Sequence, residues 1–212
     1  MKQVYCISGL GADERIFSKL DVPGVSFVHL SWIMPFPDEP IGKYAARMME
    51  QVNTDQPVLM GVSFGGMMAI EMSKFCTGAT VILLSSVKSH RELPRWMKLT
   101  GRLRLDSLIP GKPWHGFYPV ENHFLGTETE EDKRVANDFR GSIDPVYLRW
   151  AIRQVLTWKN EWRPPVLHHI HGGKDRMFPL RRIEAPQVIP LGGHFMVMNR
   201  AKEVSAVLAG IC

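Results

Sequence analysis

The stretch Pro57-Val58-Leu59-Met60-Gly61-Val62-Ser63-Phe64-Gly65-Gly66-Met67-Met68-Ala69-Ile70 places a serine inside Gly-x-Ser-x-Gly, between an apolar strand-like run and an apolar helix-like run. A chain that passes directly from a strand into a helix strains the corner residue and leaves no room for side chains two positions away. Gly61 and Gly65 occupy those two positions. The pattern predicts that Ser63 stands at the end of a strand, next to the free N–H groups of a helix N-terminus, as a candidate nucleophile.

The motif alone is weak evidence, because Gly-x-Ser-x-Gly arises by chance in roughly one chain in ten of this composition. The competing interpretation is a glycine-rich turn with an exposed serine. The flanking runs favour the nucleophile, and so do the candidate partners of the serine, which follow it along the chain in the order that this architecture requires.

Short apolar runs alternate with helix-like runs along most of the chain. Runs typical of strands buried on both faces lie at residues 4–7, 26–30, 58–62, 80–84, 166–170 and 187–190. Runs with apolar residues three and four positions apart lie at residues 13–20, 41–52, 64–75 and 195–209. This alternation predicts an α/β fold with a mostly parallel, doubly wound sheet of about six strands, flanking helices and a helical cap.

Residues 87–162 interrupt the alternation within what we expect to be a single domain of residues 1–212. This segment is rich in proline and aromatic residues and contains helix-like pieces at 130–139 and 145–158. Helices with aromatic residues on one face can hold an apolar substrate and exclude water, so Trp96, Trp114, Phe117 and Tyr118 are candidate substrate-pocket residues. The alternative for each aromatic residue is that it only fastens the cap to the core.

The chain resembles the α/β-hydrolase family over nearly its whole length apart from the middle insertion. The resemblance is carried by Ser8-Gly9-Leu10-Gly11-Ala12-Asp13, Gly61-Val62-Ser63-Phe64-Gly65-Gly66, His171-Gly172-Gly173-Lys174-Asp175-Arg176-Met177-Phe178-Pro179 and Gly192-Gly193-His194-Phe195. It implies that Ser63 is the nucleophile, that Asp175 is the acid that orients the base, and that His194 is the base. Ser8 stands where the family often has a histidine. The resemblance also implies that residues 87–162 form a helical cap over the active site.

Each of these assignments has a structural alternative. Asp175 lies in turn-like sequence, and Asp13 is better explained as the N-cap of the following helix than as a site residue. Of the other histidines, His168, His169 and His171 lie in or at the end of a strand and are interpreted as structural. His194 differs because it follows the last strand in a glycine-flanked turn.

An oxyanion hole requires two backbone N–H donors that are in place before the substrate arrives. Phe64 supplies one by its position after the nucleophile, and Leu10, in the glycine-flanked loop after the first strand, is the best candidate for the other.

Composition narrows the other classes of function. The chain has 212 residues, 45% of them hydrophobic, and a formal net charge of +5. It contains no apolar run long enough for a membrane span and no signal-peptide pattern, so we expect a cytoplasmic protein. No metal-ligand cluster or phosphate-binding loop is visible, so no metal and no cofactor are implied, and no nucleic-acid partner is expected.

A basic cluster lies in the first part of the insertion and is best explained as a solvated helix face, the alternative being a site for an anionic partner. Its members are Lys88, Arg91, Arg95, Lys98, Arg102, Arg104 and Lys112. The sequence leaves the oligomeric state open.

The sequence thus predicts a serine hydrolase that cleaves a small carboxylic ester or related acyl compound through an acyl-enzyme. Two alternatives remain. The segment from Gly193 to Val204 is similar to that of plant methylesterases and hydroxynitrile lyases, which implies that one triad can also serve C–C cleavage or acyl transfer. The second alternative is that the chain is a non-catalytic receptor for a small molecule.

Overall fold

The computed structural model describes residues 1–104 and 115–212, and the sheet at its centre has six strands. The strands are β1 (Lys2–Ile7), β2 (Val25–His29), β3 (Val58–Val62), β4 (Thr80–Leu84), β5 (Val166–Gly172) and β6 (Gln187–Ile189). Their order across the sheet is β2-β1-β3-β4-β5-β6, and every neighbouring pair is parallel. The predicted fold class is confirmed, and the carboxyl ends of all six strands meet at one edge.

Both faces of the sheet are buried, which explains why the strands are apolar without alternation. Tyr5 and Ile7 of β1 join one hydrophobic cluster, whereas Val4 and Cys6 of the same strand join the cluster on the opposite face. Successive side chains of a strand point to opposite faces, so each strand contributes to two cores.

The helices flank the sheet and fill the insertion. They are α1 (Ile41–Met48), α2 (Phe64–Ser73), α3 (Arg95–Arg102), α4 (Tyr118–Leu125), α5 (Glu130–Ser142), α6 (Pro145–Thr157), α7 (Met196–Asn199) and α8 (Ala201–Ala209). No helix among residues 1–104 and 115–212 is long and apolar enough to cross a membrane.

Two predicted helices differ from the structure. Residues 13–20 form only a 3-10 turn, Glu14–Phe17, and the chain turns again at Gly24, where φ is 78°, before it enters β2. Asp13 caps that turn, as expected, by accepting a hydrogen bond from the backbone N–H of Arg15 at 3.0 Å. The predicted helix 195–209 breaks at Arg200, whose guanidinium pairs with Glu128 at 2.7 Å.

The insertion (residues 87–162) lies between β4 and β5 and carries α3 to α6. Two indole groups fasten α6 and its end to the main body: Trp150 Nε1 donates to the carbonyl of Glu39 at 2.7 Å, and Trp158 Nε1 donates to Glu71 Oε1 at 2.8 Å. At the opposite side of the insertion, the backbone N–H of Phe195 donates to the carbonyl of Leu125 at 2.8 Å.

The basic cluster of the insertion is not uniform. The sequence predicts that Lys88 lies on a solvated helix face, but Lys88 is 6% exposed and donates to the carbonyl of Glu184. Its neighbour Glu92 is also buried and accepts from the backbone N–H groups of Lys88 and Glu184, at 2.6 and 2.9 Å. Lys88 is therefore part of a buried polar network and not of a surface patch.

Candidate active site

The turn between β3 and α2 holds Ser63 in a backbone conformation that side chains rarely adopt, with φ 53° and ψ −117°. The turn is possible only because glycines stand beside it. A Cβ on Gly61 would lie 2.1 Å from the carbonyl oxygen of Gly65, and a Cβ on Gly65 would lie 2.2 Å from that of Ile7. The serine hydroxyl is thereby held at the carboxyl edge of the sheet, where the sequence predicts it.

Three side chains from three different strand ends meet at this edge. His194, after β6, lies with Nε2 2.9 Å from Ser63 Oγ, and its Nδ1 lies 2.8 Å from Oδ2 of Asp175, after β5. Asp175 and His194 are buried, whereas Ser63 is partly exposed. The structure therefore brings together all three residues that the sequence nominates as the catalytic set.

Two donors, one in the loop after β5 and one after β6, hold the Asp175 carboxylate. Its Oδ1 accepts the backbone N–H of Phe178 at 2.8 Å, which leaves Oδ2 for His194. The ring of Phe178 also packs edge-on against the His194 imidazole, with ring centroids 5.4 Å apart. Each carboxylate oxygen has its own donor, so the carboxylate has one orientation.

Two further histidines lie behind the acid. His171 donates from Nε2 to the carbonyl of Phe178 at 2.8 Å, and the same nitrogen is 3.6 Å from Asp175 Oδ2. His169 contacts the edge of His171 and donates to the carbonyl of Ser86 at 3.1 Å. Burial lowers the pKa of His171, against the opposing effect of Asp175, and lowers the pKa of His169 to about 3. Both are neutral structural residues, as the sequence suggests for that strand.

The two expected oxyanion donors flank the nucleophile. Phe64 begins α2, so its N–H has no acceptor within the helix. The N–H of Leu10 donates to no acceptor among the described residues. A Cβ on Gly9 would lie only 3.6 Å from Ser63 Cβ, which places the loop of Leu10 directly beside the serine.

Trp32, which the sequence analysis missed, braces both of these segments. Its indole stacks on the ring of Phe64, with centroids 5.3 Å apart and planes within 10°. Its Nε1 donates to Ser8 Oγ at 2.9 Å, and that hydroxyl donates to the carbonyl of Ala12 at 2.7 Å. Ser8 therefore ties the loop to Trp32. The available signal was position, because Trp32 follows β2 at the edge where parallel sheets build their sites.

A cavity of about 590 Å³ opens above Ser63 between the sheet edge and the insertion. Trp96 and Phe117 line it, and each is about half exposed. Tyr118 does not line it, and its ring lies under the guanidinium of Arg140 at 4.9 Å. Trp114 lies outside the described residues. The walls are mostly aliphatic and aromatic.

One charged pair interrupts these apolar walls. Arg140 Nε lies 2.6 Å from Glu121 Oε2, and its two Nη atoms donate to the side-chain oxygens of Asn137 and Asn122 at 2.5 and 2.8 Å. Arg140 is largely buried whereas Glu121 is partly exposed. The α4–α5 side of the cavity is thus polar but locally neutral. Within residues 1–104 and 115–212, no group of three acidic, histidine or cysteine side chains is arranged to hold a metal ion.

Comparison with known proteins agrees with this architecture. Residues 6–207 match the model of the alpha/beta hydrolase family, so the chain belongs to that family, which confirms the class of enzyme that the sequence predicts. No curated protein sequence matches the chain.

Several solved structures share the fold at low sequence identity. The hydrolase olei00960 from Oleispira antarctica is 9% identical with a TM-score of 0.72, covering 100% of this chain and 90% of its own. The esterase EaEST from Exiguobacterium antarcticum is 16% identical with a TM-score of 0.72, covering 100% and 91%. A bromoperoxidase from Bacillus anthracis is 16% identical with a TM-score of 0.69, covering 98% and 90%. At these identities the likeness concerns the fold.

Proposed function

We propose that this protein is a serine hydrolase that cleaves a small carboxylic ester through an acyl-enzyme. The observation that carries the proposal is the continuous line of hydrogen bonds from Asp175 Oδ2 to His194 Nδ1 and from His194 Nε2 to Ser63 Oγ, at 2.8 and 2.9 Å. The carboxylate selects the tautomer with the proton on Nδ1, so Nε2 is free to accept the serine proton.

The reaction has two balanced halves. In the first, Ser63 Oγ attacks the ester carbonyl carbon while its proton moves to His194 Nε2, and the carbonyl oxygen, now an oxyanion, accepts hydrogen bonds from the N–H groups of Leu10 and Phe64. The carbonyl re-forms, the C–O bond to the alcohol breaks, and His194 returns the proton to the leaving alkoxide. In the second, water replaces the alcohol in the reverse sequence, which releases the acid and Ser63.

The insertion supports the proposal as a cap. It closes the space above Ser63 into a cavity with few polar groups, and exclusion of water strengthens the interactions of the oxyanion with its donors. The bond from the Phe195 N–H to Leu125 joins the insertion to the loop of His194, so the same segment supports the base.

The test uses a fluorophosphonate probe, because it reports an activated serine without knowledge of the natural substrate. We expect the wild-type protein to be labelled once, at Ser63, and to hydrolyse p-nitrophenyl esters. Ser63→Ala should abolish labelling, and His194→Ala should lower turnover by ~10³-fold or more. A folded wild-type protein that is neither labelled nor active on any ester would contradict the proposal and favour the receptor interpretation.

A further inference from the structure

Among the residues that the structure describes, one side of the cavity is formed by uncharged side chains of α3 and α6. On α6 these are Leu148, Ile152, Val155 and Leu156, which share one helix face because they are spaced by three and four residues. Thr100 of α3 also lines the cavity, but its hydroxyl donates to the carbonyl of Trp96 at 2.8 Å. The donor of this hydroxyl is used within the helix, so this side of the cavity is largely apolar; it is here called the α6 groove.

The start of α6 lies beside the nucleophile. A Cβ on Gly11, in the oxyanion loop, would lie 3.0 Å from the side chain of Ile143, just before the helix. Tyr147, in the first turn, packs against the indole of Trp32 at 5.4 Å, and that indole stacks on Phe64 next to Ser63. Leu148 therefore marks the end of the groove near the reacting atoms.

The end of α6 lies far from the nucleophile. Trp158, which follows the helix, bonds to Glu71, eight residues after Ser63 along α2. Near this point α3 and α6 touch, since a Cβ on Gly101 would lie 2.2 Å from the carbonyl oxygen of Leu156. The groove thus leads away from Ser63, and its far end lies where α3 and α6 are in contact.

The length of the groove follows from helix geometry. Leu148 and Leu156 are eight residues apart, and a rise of 1.5 Å per residue gives about 12 Å. An extended chain advances ~1.2 Å per covalent bond, since three bonds of a peptide span about 3.5 Å. The groove therefore spans about ten bonds, and an acyl chain of about eight to ten carbons fills most of it.

We propose that the α6 groove holds the acyl chain, so that the preferred substrates are esters of uncharged, unbranched acids of about eight to ten carbons. The inference rests on the proposed ester hydrolysis at Ser63. The α4–α5 side, with Arg140 and Glu121, offers the only charged groups among the described residues of the cavity wall. The alcohol, which can be polar, faces that side.

The first experiment measures kcat/KM of the wild-type protein on p-nitrophenyl esters with acyl chains from two to sixteen carbons. Because each methylene buried in the groove favours binding, we expect kcat/KM near eight to ten carbons to exceed that on the acetate by at least ~10-fold and to fall for longer chains. A second series keeps the acetyl group and lengthens the alcohol, and we expect little gain there.

The second experiment shortens the groove with a matched pair of substitutions on one helix. Val155 lines the groove at its distant end, whereas Val146 is 51% exposed and does not line the cavity. Val155→Phe should move the acyl optimum to chains shorter by about two to four carbons, whereas Val146→Phe should leave both the optimum and the rate on acetate unchanged. Thermal melting checks that both variants are folded.

The outcomes separate the two proposals. Ser63-dependent hydrolysis with a flat profile, an optimum at acetate, or a length dependence confined to the alcohol series would overturn the acyl groove and leave the hydrolase standing. Absence of both hydrolysis and probe labelling would overturn both. If Val155→Phe fails to fold, the wild-type profiles and competitive inhibition by free fatty acids of graded length still decide, because only a groove of this length gives inhibition strongest near eight to ten carbons.

Discussion

Replacement of Asp175 by asparagine should disable the base through its tautomer while the fold persists. The carboxylate Oδ1 accepts the N–H of Phe178, which is fixed in the backbone, and Oδ2 faces His194 Nδ1. An asparagine must keep its oxygen toward Phe178, because its NH2 group there would oppose another donor. The NH2 group then faces Nδ1 and forces that nitrogen to accept, so the histidine proton moves to Nε2 and points at Ser63.

A base that already carries its proton cannot accept the serine proton. We therefore expect Asp175→Asn to lower kcat by about 10⁴-fold, or about 5.4 kcal/mol of transition-state stabilisation, as the loss of the correct tautomer does in serine proteases. The assay is the second-order rate of fluorophosphonate inactivation, measured alongside ester turnover. Since the Phe178 bond survives, Asp175→Asn should melt closer to wild type than Asp175→Ala. A rate within tenfold of wild type would refute the tautomer argument.

Three other predictions concern stability and selectivity. Burial lowers the pKa of His169 to about 3, whereas the pKa of a histidine in the unfolded chain is near 6.5. As the pH falls, the unfolded chain therefore binds the proton first. Stability that is present above about pH 6.5 is lost as the pH falls toward 3, by ~1.4 kcal/mol per pH unit. His169→Gln should remove one proton from that dependence when urea unfolding is compared at pH 7 and 5, and an unchanged slope would contradict the assignment. Gly65→Ala should destabilise the protein by roughly 1–3 kcal/mol or more and suppress probe labelling, because the new Cβ would lie 2.2 Å from a backbone oxygen. Gly141→Ala is the control and should do neither, because nothing lies within 4 Å of its Cβ. Equal melting points of the two variants would contradict the prediction. Trimming Trp96 or Phe117 to alanine should alter the acyl-length preference of ester hydrolysis more than the rate with a small phosphonate, and a preference that stays constant would remove these residues from the pocket.

The parts of the fold that could be predicted are those for which one physical requirement dictates the residue type. Strands covered on both faces must be largely apolar, so the sequence predicts the first and last residues of β3 and β4 correctly. The corner at Ser63 tolerates only glycine at Gly61 and Gly65, and the contacts that a Cβ would make there confirm the reason. A turn after the last strand of a parallel sheet lies at the same edge as the turn after β3, so the sequence predicts that His194 lies near Ser63, as it does.

The remaining parts depend on packing between segments distant in sequence. Residues Trp32 and Phe64 are 32 positions apart, and nothing in either local pattern indicates that their rings stack. Lys88 belongs by composition to a basic surface, yet the burial of its ammonium depends on the carbonyl of Glu184, almost a hundred residues later. The sequence shows that α6 has an apolar face, but it does not show whether that face packs against the core or lines a cavity.

The backbone conformation of Ser63 also has a consequence for the stability of the protein. A residue with a side chain at φ 53° and ψ −117° costs of order 1–3 kcal/mol, which a glycine would largely avoid. A protein that used the cavity only to hold a ligand would gain stability from glycine at this position and would lose only one small CH2OH side chain from the binding surface. If Ser63 is the nucleophile that we propose, its hydroxyl exchanges stability of the turn for reactivity, and directed evolution under selection for heat resistance alone should replace Ser63 early.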